Sequence, residues 1–124
     1  MTAEQLLGGP IAAQIREAVA ADVVDFVADH AYVPELAIVV VGADAPSMVY
    51  LRRILSACEK VGVTGRLVEL EADCSESGLA RAIEALGAQR AVAGIIVQQP
   101  LPHCIPLRVV LDTLDPRKDI DGIH

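Results

Sequence analysis

The sequence predicts a three-layer α/β domain with a mainly parallel sheet, and two observations support this fold class. First, segments with helical spacing of apolar residues alternate along the chain with short apolar runs. Second, the runs at residues 36–41 and 94–98 are rich in β-branched side chains and too uniformly apolar for a strand with a solvated face. Buried strands that alternate with helices form parallel sheets covered by helices on both faces.

The first half of the chain contains a helix, a strand and a second helix. Residues from about 10 to 30 repeat apolar side chains every three or four positions, which predicts an amphipathic helix with Pro10 in its first turn. Residues 36–41 then form the first buried strand. Helical spacing resumes over residues 48–61 and ends at Gly62, a residue typical of helix C-termini.

The second half continues the alternation. Residues 66–71 alternate polar and apolar side chains, as a strand nearer the sheet edge does. A third helix follows, with Ser75 or Ser77 as its N-cap. The remaining predicted elements are a strand, a short helix and an extended polar tail, at residues 94–98, 106–114 and 115–122.

Composition and charge exclude several classes of function. The 124 residues suit one domain, whose core needs no disulfides. A net charge of −7 without a basic patch argues against nucleic-acid binding. The longest apolar run, residues 36–41, is far shorter than the roughly 20 residues of a membrane span. Because the start lacks the pattern of a secretory signal and the three cysteines form no disulfide framework, we expect a reduced, cytoplasmic protein.

Ligands of parallel α/β sheets bind beyond the carboxyl ends of the strands. This rule selects the segments 42–50, 70–77 and 98–103. In the first segment, Tyr50 offers a ring and a hydroxyl that can stack on and orient an aromatic ligand. Ser47 lies one helical turn before it. The alternative is that Tyr50 is a half-buried packing residue and Ser47 a simple helix cap.

Two further segments carry polar groups at useful positions. Gln98 ends a buried strand and offers a hydrogen-bond donor and an acceptor, just before the rigid turn that contains Pro100 and Leu101. The alternative is a polar strand end that faces water. Asp119 and Asp121 point the same way if the tail is extended, and a carboxylate there can accept two hydrogen bonds from adjacent N–H groups. The alternative is a solvated, charged tail.

Neither a metal site nor a dinucleotide site is expected in these residues. His103 and Cys104 are adjacent, but no Cys-x-x-Cys or His-x-x-x-His spacing occurs. Gly8 and Gly9 precede a helix rather than follow a strand, and no Gly-x-Gly-x-x-Gly pattern is present.

Five segments of the chain form a specific combination. They are residues 37–42, the Pro-Ser-x-x-Tyr motif at 46–50, residues 57–62, the Val-Gln-x-Pro-Leu-Pro motif at 97–102 and the Lys-Asp-x-Asp-Gly motif at 118–122. In this order and spacing, which cover essentially the whole chain, they resemble the N-terminal catalytic domain of the bifunctional methylenetetrahydrofolate dehydrogenase/cyclohydrolase family. We therefore expect residues 1–124 to form one folate-binding domain.

The resemblance implies an activity in one-carbon metabolism. The family binds a reduced folate, oxidises its methylene bridge by hydride transfer to NADP or NAD, and hydrolyses the methenyl product to formyltetrahydrofolate. By resemblance, NADP or NAD would bind to a second dinucleotide-binding domain, a Rossmann domain that these 124 residues lack. The resemblance also implies a homodimer and no metal.

The resemblance further implies roles for the candidate residues. Tyr50 would stack on the folate, and Asp121 would hold the amino and ring N–H edge of the pterin. Gln98 would lie near the reacting carbon, so Gln98 and Asp121 are the expected catalytic residues. The expected substrate-binding residues are these three together with Ser47, Pro100 and Leu101.

One position departs from the family pattern. The family motif has a catalytic lysine four residues after the tyrosine, and here that residue is Ile54. Arg52 lies on roughly the opposite helix face, and Arg53 carries a guanidinium that stays protonated and cannot act as a base. Loss of a positioned proton-transfer group typically lowers a rate by roughly a hundred- to ten-thousand-fold. The cyclohydrolase step is therefore the activity in question.

The missing lysine leaves two alternatives open. The chain could be a non-catalytic module that binds a folate or a protein partner. It could also act on a different one-carbon substrate, since Ile54 makes the site more apolar.

Overall fold

The computed structural model describes residues 2–124 and contains a three-stranded parallel sheet with helices on both faces. In chain order the elements are α1 (Gly8–His30), β1 (Glu35–Val41), α2 (Ala45–Val61), β2 (Thr64–Leu70), α3 (Glu76–Gly87), β3 (Val92–Val97), α4 (Arg108–Thr113) and a short 3₁₀ turn (Pro116–Lys118). The predicted fold class is confirmed.

Strand β1 lies at the centre of the sheet, between β2 and β3. It pairs in parallel with both neighbours, and its five residues from Ala37 to Val41 are fully buried. Strand β2 lies at the edge of the sheet and is only partly buried, as its alternating sequence predicts. The uniformly apolar sequence of β1 thus reflects a strand that is covered on both faces.

The two faces of the sheet are packed to different degrees. On the face toward α3 and α4, here named the closed face, twelve buried residues form one continuous core. On the face toward α1 and α2, here named the open face, the buried cluster consists of Ile38, Val40 and Leu51. Partly buried side chains surround that small cluster, among them Met48, Ile54 and Leu55.

Helix α1 is less buried than its sequence pattern predicts. Val23 is its one fully buried residue, whereas Ile11 and Ile15 are 61% and 59% exposed. The apolar stripe exists, but within residues 2–124 no element covers its first turns. A helical periodicity of apolar residues identifies the apolar face of a helix. It does not show whether another element packs against that face.

Local side chains cap the starts of α2 and α3. The Asp44 carboxylate accepts the backbone N–H of Ser47 at 2.8 Å, so Asp44 is the N-cap of α2, and the alternative that Ser47 caps this helix is wrong. For α3, the Ser75 hydroxyl accepts the backbone N–H of Gly78 at 3.0 Å, which selects Ser75 over Ser77 as its cap.

The prediction of an extended polar tail is wrong, because the tail folds back onto the body of the domain. The Lys118 ammonium group donates to the carbonyl oxygens of Gly87 and Gln89 at 2.8 and 2.9 Å. The Asp119 carboxylate closes a turn by accepting three backbone N–H groups, those of Gly122, Ile123 and His124. The alternative of a solvated, charged tail is therefore wrong for Asp119, whereas Asp121 is exposed to solvent.

Candidate functional site

The candidate site lies at the carboxyl ends of the three parallel strands. This end of the sheet is here named the strand-end edge, or the edge for short. The loops after β1 and β2 touch there. The Gly42 N–H donates to the carbonyl oxygen of Leu70 at 2.9 Å, and a Cβ added to Gly42 would lie 2.9 Å from the Cβ of Ala72. Gly42 also has a φ of +65°, a left-handed conformation that glycine adopts without strain. The loops that follow β1 and β2 are therefore in direct contact at the candidate site.

Tyr50 lies in the second turn of α2, near the end of the helix that faces this edge. Its side chain is 55% exposed, so its ring is accessible to a ligand, and the alternative of a half-buried packing tyrosine is not excluded by this burial. Ser47 is partly buried in the preceding turn. Hydrogen bonding by the side chain and backbone N–H of Ser47 lowers the pKa of Asp44 below its ordinary value, so this cap carries a negative charge at neutral pH. The sequence analysis missed Asp44, although an acidic residue just before a helical turn with Pro46 is a typical N-cap pattern.

Gln98 follows β3 directly and extends its hydrogen bonding, since its N–H donates to the carbonyl oxygen of Val39 at 2.8 Å. Its side-chain amide N–H donates to the carbonyl oxygen of Gln99 at 3.0 Å. The side-chain oxygen of Gln98 accepts no hydrogen bond from residues 2–124, which leaves it available to a ligand. Beyond it, Pro100 is exposed and Leu101 packs against the closed-face core. Leu101 therefore anchors this loop as well as bordering the edge.

The two carboxylates of the tail are not equivalent. Asp119 is occupied by its three backbone donors, of which the N–H of His124 contributes most to lowering its pKa. Asp121 is exposed, and its carboxylate makes no hydrogen bond with residues 2–124. Asp119 forms a parallel bridge with Ile95 of β3, and the turn that its carboxylate closes contains Asp121. Of the two acids, Asp121 is the one free to accept ligand N–H groups.

Ile54 lies one turn beyond Tyr50 on α2. It is half-buried, packs against the open-face cluster and lines an apolar groove with Ile15 and Val19 of α1. An isoleucine is therefore well accommodated at this position, for which the resemblance described above implies a lysine.

Neither lysine of the chain lies close to Tyr50. The sequence contains two lysines, Lys60 and Lys118. Lys60 lies near the far end of α2, about 15 Å along the helix axis from Tyr50. Lys118 is held by the carbonyl oxygens of Gly87 and Gln89, which precede β3 and so lie at the opposite edge of the sheet.

Within the described residues, no group of three or more His, Cys, Asp or Glu side chains is arranged to hold a metal ion. The loops that follow the three strands contain one glycine, Gly42, and so offer no glycine-rich cradle for a dinucleotide phosphate. No helix in this part of the chain has the length and apolar character needed to cross a membrane.

Known proteins match this chain in sequence and in fold. Residues 6–121 match the sequence model of the tetrahydrofolate dehydrogenase/cyclohydrolase catalytic domain. The bifunctional protein FolD of Sphingobium chlorophenolicum is 48% identical over 103 residues, which are 83% of this chain and 33% of that protein. The chain spans less than half the length of the curated relatives it matches.

Solved structures show the same fold. A 5,10-methylenetetrahydrofolate dehydrogenase from the silkworm Bombyx mori aligns with a TM-score of 0.90 and 32% identity, over 99% of this chain and 42% of that one. The Trypanosoma brucei methylenetetrahydrofolate dehydrogenase-cyclohydrolase, solved with NADP cofactor and an inhibitor, aligns with a TM-score of 0.86 and 27% identity, over 96% of this chain and 41% of that one. This chain therefore belongs to the tetrahydrofolate dehydrogenase/cyclohydrolase family, and residues 6–121 correspond to its N-terminal catalytic domain.

Proposed function

We propose that this domain binds a reduced folate at the strand-end edge and lacks the amine needed for efficient hydrolysis of the methenyl form. The observation that carries the proposal is Ile54. It occupies the position of the family's lysine one turn beyond the exposed ring of Tyr50, and both lysines of the chain lie elsewhere. A folate site that retains its polar groups but not its amine differs chemically from the site of a complete cyclohydrolase.

The proposed binding mode follows from the free groups at the edge. The exposed Tyr50 ring supplies a surface on which the folate ring system stacks. The unpaired carboxylate of Asp121 accepts the amino and ring N–H groups of the pterin, and the Gln98 amide oxygen lies near the reacting carbon. Ser47, Pro100 and Leu101 border the substrate. In this assignment residues 1–124 act as one folate-binding domain.

The oxidation step depends less on the missing amine than the hydrolysis does. Hydride transfer to a nicotinamide requires chiefly that donor and acceptor be held at the right distance and angle. We assign NADP or NAD to a separate dinucleotide-binding domain, because the loops of residues 2–124 provide no phosphate cradle. When bound, that cofactor supplies the hydride acceptor. In a protein that carries both domains, we expect oxidation of methylenetetrahydrofolate to be better retained than cyclohydrolase activity.

The first experiment tests the missing amine. Methenyltetrahydrofolate is mixed with the wild-type chain, Ile54→Lys or Ile54→Met, and the loss of its absorbance is followed. Ile54→Met is the matched control, since it has an unbranched chain of similar size without an amine. We expect the wild type and Ile54→Met to match the buffer rate and Ile54→Lys to exceed it by roughly a hundred- to ten-thousand-fold.

Two outcomes would contradict this proposal. A wild type that hydrolyses methenyltetrahydrofolate well above the buffer rate shows that the amine is dispensable. An Ile54→Lys variant that binds the folate but gains no activity shows that the amine is not the missing component.

The second experiment tests the binding site itself. A titration of the chain with tetrahydrofolate, followed by calorimetry, compares wild type with Tyr50→Ala and Asp121→Ala. We expect about tenfold weaker binding for each variant, because one removes the stacking surface and the other a charge-assisted hydrogen bond. Glu84→Ala, at an exposed acid of α3 outside the segments that follow the strands, is the control. Wild-type protein that shows no folate binding would disprove the folate assignment.

A second candidate function is a non-catalytic module that binds a folate or a protein partner, and Ile54 also favours this alternative. The measurement that separates the two is oxidation of methylenetetrahydrofolate by a protein that carries both this domain and a dinucleotide-binding domain. Turnover supports the enzyme, and binding without turnover supports the module.

By resemblance to the family, we also propose a cytoplasmic homodimer. The three cysteines are free in the structure, which fits a reducing compartment. Light scattering of the purified protein measures the oligomeric state directly.

A further inference from the structure

A basic cleft lies between α1 and α2, and Tyr50 is not among its lining residues. It is open to solvent and has a volume of about 340 Å³. Its lining consists of one basic residue from α1, three from α2 and two small residues between them, namely Arg16, Arg52, Arg53, Lys60, Ser56 and Ala57.

This cleft stands out against the charge of the whole molecule. The chain has a net charge of −7 and ten basic residues, four of which line this one cleft. No carboxylate lines it. Glu59, the one acid on α2, lines a neighbouring cleft, and Glu17 follows Arg16 on α1 without lining the basic cleft.

The four basic side chains have no acidic partner in the described part of the chain. The ion pairs within 4 Å among residues 2–124 are Arg66–Glu35 and Arg117–Asp115, neither of which involves the cleft. Neighbouring like charges repel each other, so the cluster costs some folding free energy. An anionic ligand would relieve that repulsion.

The chemistry of the lining indicates the kind of anion. The planar guanidinium of arginine donates two parallel hydrogen bonds to a phosphate or a carboxylate, and three of the four cations are arginines. Arg53 and Lys60 are about 10 Å apart along the helix axis, so an anion that carries two or more charged groups can contact both while their side chains stay extended. The hydroxyl of Ser56 lies between them along the helix and offers a further donor.

We propose that the basic cleft binds a small oligoanion that carries two or more phosphate or carboxylate groups. This site is separate from the proposed folate site and does not depend on it. Its ligand either contributes to a reaction that the domain takes part in or regulates it from the outer surface of α2.

Calorimetric titration of the full chain tests the proposal, with tripolyphosphate and citrate as the two oligoanions and inorganic phosphate as the single anion. We expect one of the oligoanions to bind at least about tenfold more tightly than inorganic phosphate, because it engages several cations at once. The double variant Arg16→Gln/Arg53→Gln should weaken that binding by at least about tenfold. Arg81→Gln, an exposed arginine on α3, is the matched control and should change it by less than about twofold.

The identity of the tighter ligand distinguishes the two sources of anion. Stronger binding of tripolyphosphate points to a phosphate ligand, and stronger binding of citrate to a polycarboxylate. Ser56→Asp provides a second test that retains all four cations but places a negative charge among them, and it should weaken binding as the double variant does.

Three results would overturn the proposal. The first is no binding of either oligoanion at millimolar concentration. The second is equal weakening by Arg81→Gln and the double variant, which would indicate general attraction to the surface. The third is unchanged binding in a folded Ser56→Asp variant, with folding checked by circular dichroism.

Discussion

The closed face and the open face of the sheet use the same three strands but reach different degrees of packing. On the closed face, α3 contributes Leu79, Ile83 and Leu86, all of them buried. On the open face, α1 is almost twice as long and has one buried residue, Val23. The difference shows that the length of an amphipathic helix does not set its contribution to the core, since burial requires a partner on the other side.

The location of the candidate site follows this division. Tyr50 and Ile54 are on α2, and the basic cleft lies between α2 and α1, the two helices on the open face. Side chains there retain contact with solvent. Replacing an apolar residue by a polar one therefore costs less folding free energy there than in a fully buried core. This explains how an isoleucine and a lysine can both be compatible with the fold at position 54.

The largest predicted effect tests this explanation by placing the same charge on both faces. Ile83 is 1% exposed, so Ile83→Lys buries an unpaired ammonium group and should destabilise the domain by about 4 kcal/mol or more. Ile54→Lys should cost less than about 2 kcal/mol, because a lysine at a half-buried position can extend its ammonium group into water. Urea unfolding measures both. Equal losses would mean that the faces do not differ as described.

The next largest effect comes from shortening an apolar side chain to alanine on each face. Leu79 is fully buried on the closed face, and Leu79→Ala should lower the free energy of unfolding by about 2–5 kcal/mol. Ile15 is 59% exposed on α1, and Ile15→Ala should lower it by less than about 1 kcal/mol. The same unfolding assay gives both values. A loss at Ile15 as large as that at Leu79 would show that α1 is covered by another element in solution.

The smallest effect separates helix capping from packing. Ser75→Ala removes the cap of α3 and should cost about 0.5–2 kcal/mol at any pH between 2.5 and 7, because the hydroxyl does not titrate. Asp44→Ala removes the cap of α2 and should lower the melting temperature at pH 7.

The Asp44 effect should depend on pH. The pKa of Asp44 is lowered in the folded state, so its contribution to stability is present above the unfolded pKa of about 3.9 and is lost as the pH falls through the folded value. Melting curves of wild type and Asp44→Ala should therefore converge at low pH, whereas those of Ser75→Ala should stay apart from wild type. A constant gap for Asp44→Ala would contradict the role of its charge.

Much of the local structure is predictable from the sequence because its causes are local. The apolar run of β1, the alternating residues of β2 and the stop at Gly62 each depend on neighbouring residues, and each matches the structure. The tail was predicted wrongly for the opposite reason. Lys118 donates to Gly87 and Gln89, which are about 30 positions earlier, and no local pattern indicates such a contact.

The candidate site shows the same limit. The rule for strand ends selected the segments that contain Tyr50 and Gln98, since it depends only on the order of the elements. The residue pattern of the tail does not separate Asp119 from Asp121, because their difference is a turn closed by backbone groups further along the chain, and only the family resemblance assigned Asp121. The basic cleft was also beyond the sequence analysis, since Arg16 meets the basic residues of α2 only after α1 and α2 pack together.

The sequence by itself determined the alternation of helices and strands, the family resemblance and the presence of an isoleucine at position 54. These properties depend on residue identity and on spacing along the chain. Only the tertiary structure decided which apolar stripes are buried, which tail carboxylate is free and which basic residues share a cleft. Burial, hydrogen-bond saturation and charge clustering depend on groups that are distant in sequence, and those groups come together only when the chain folds.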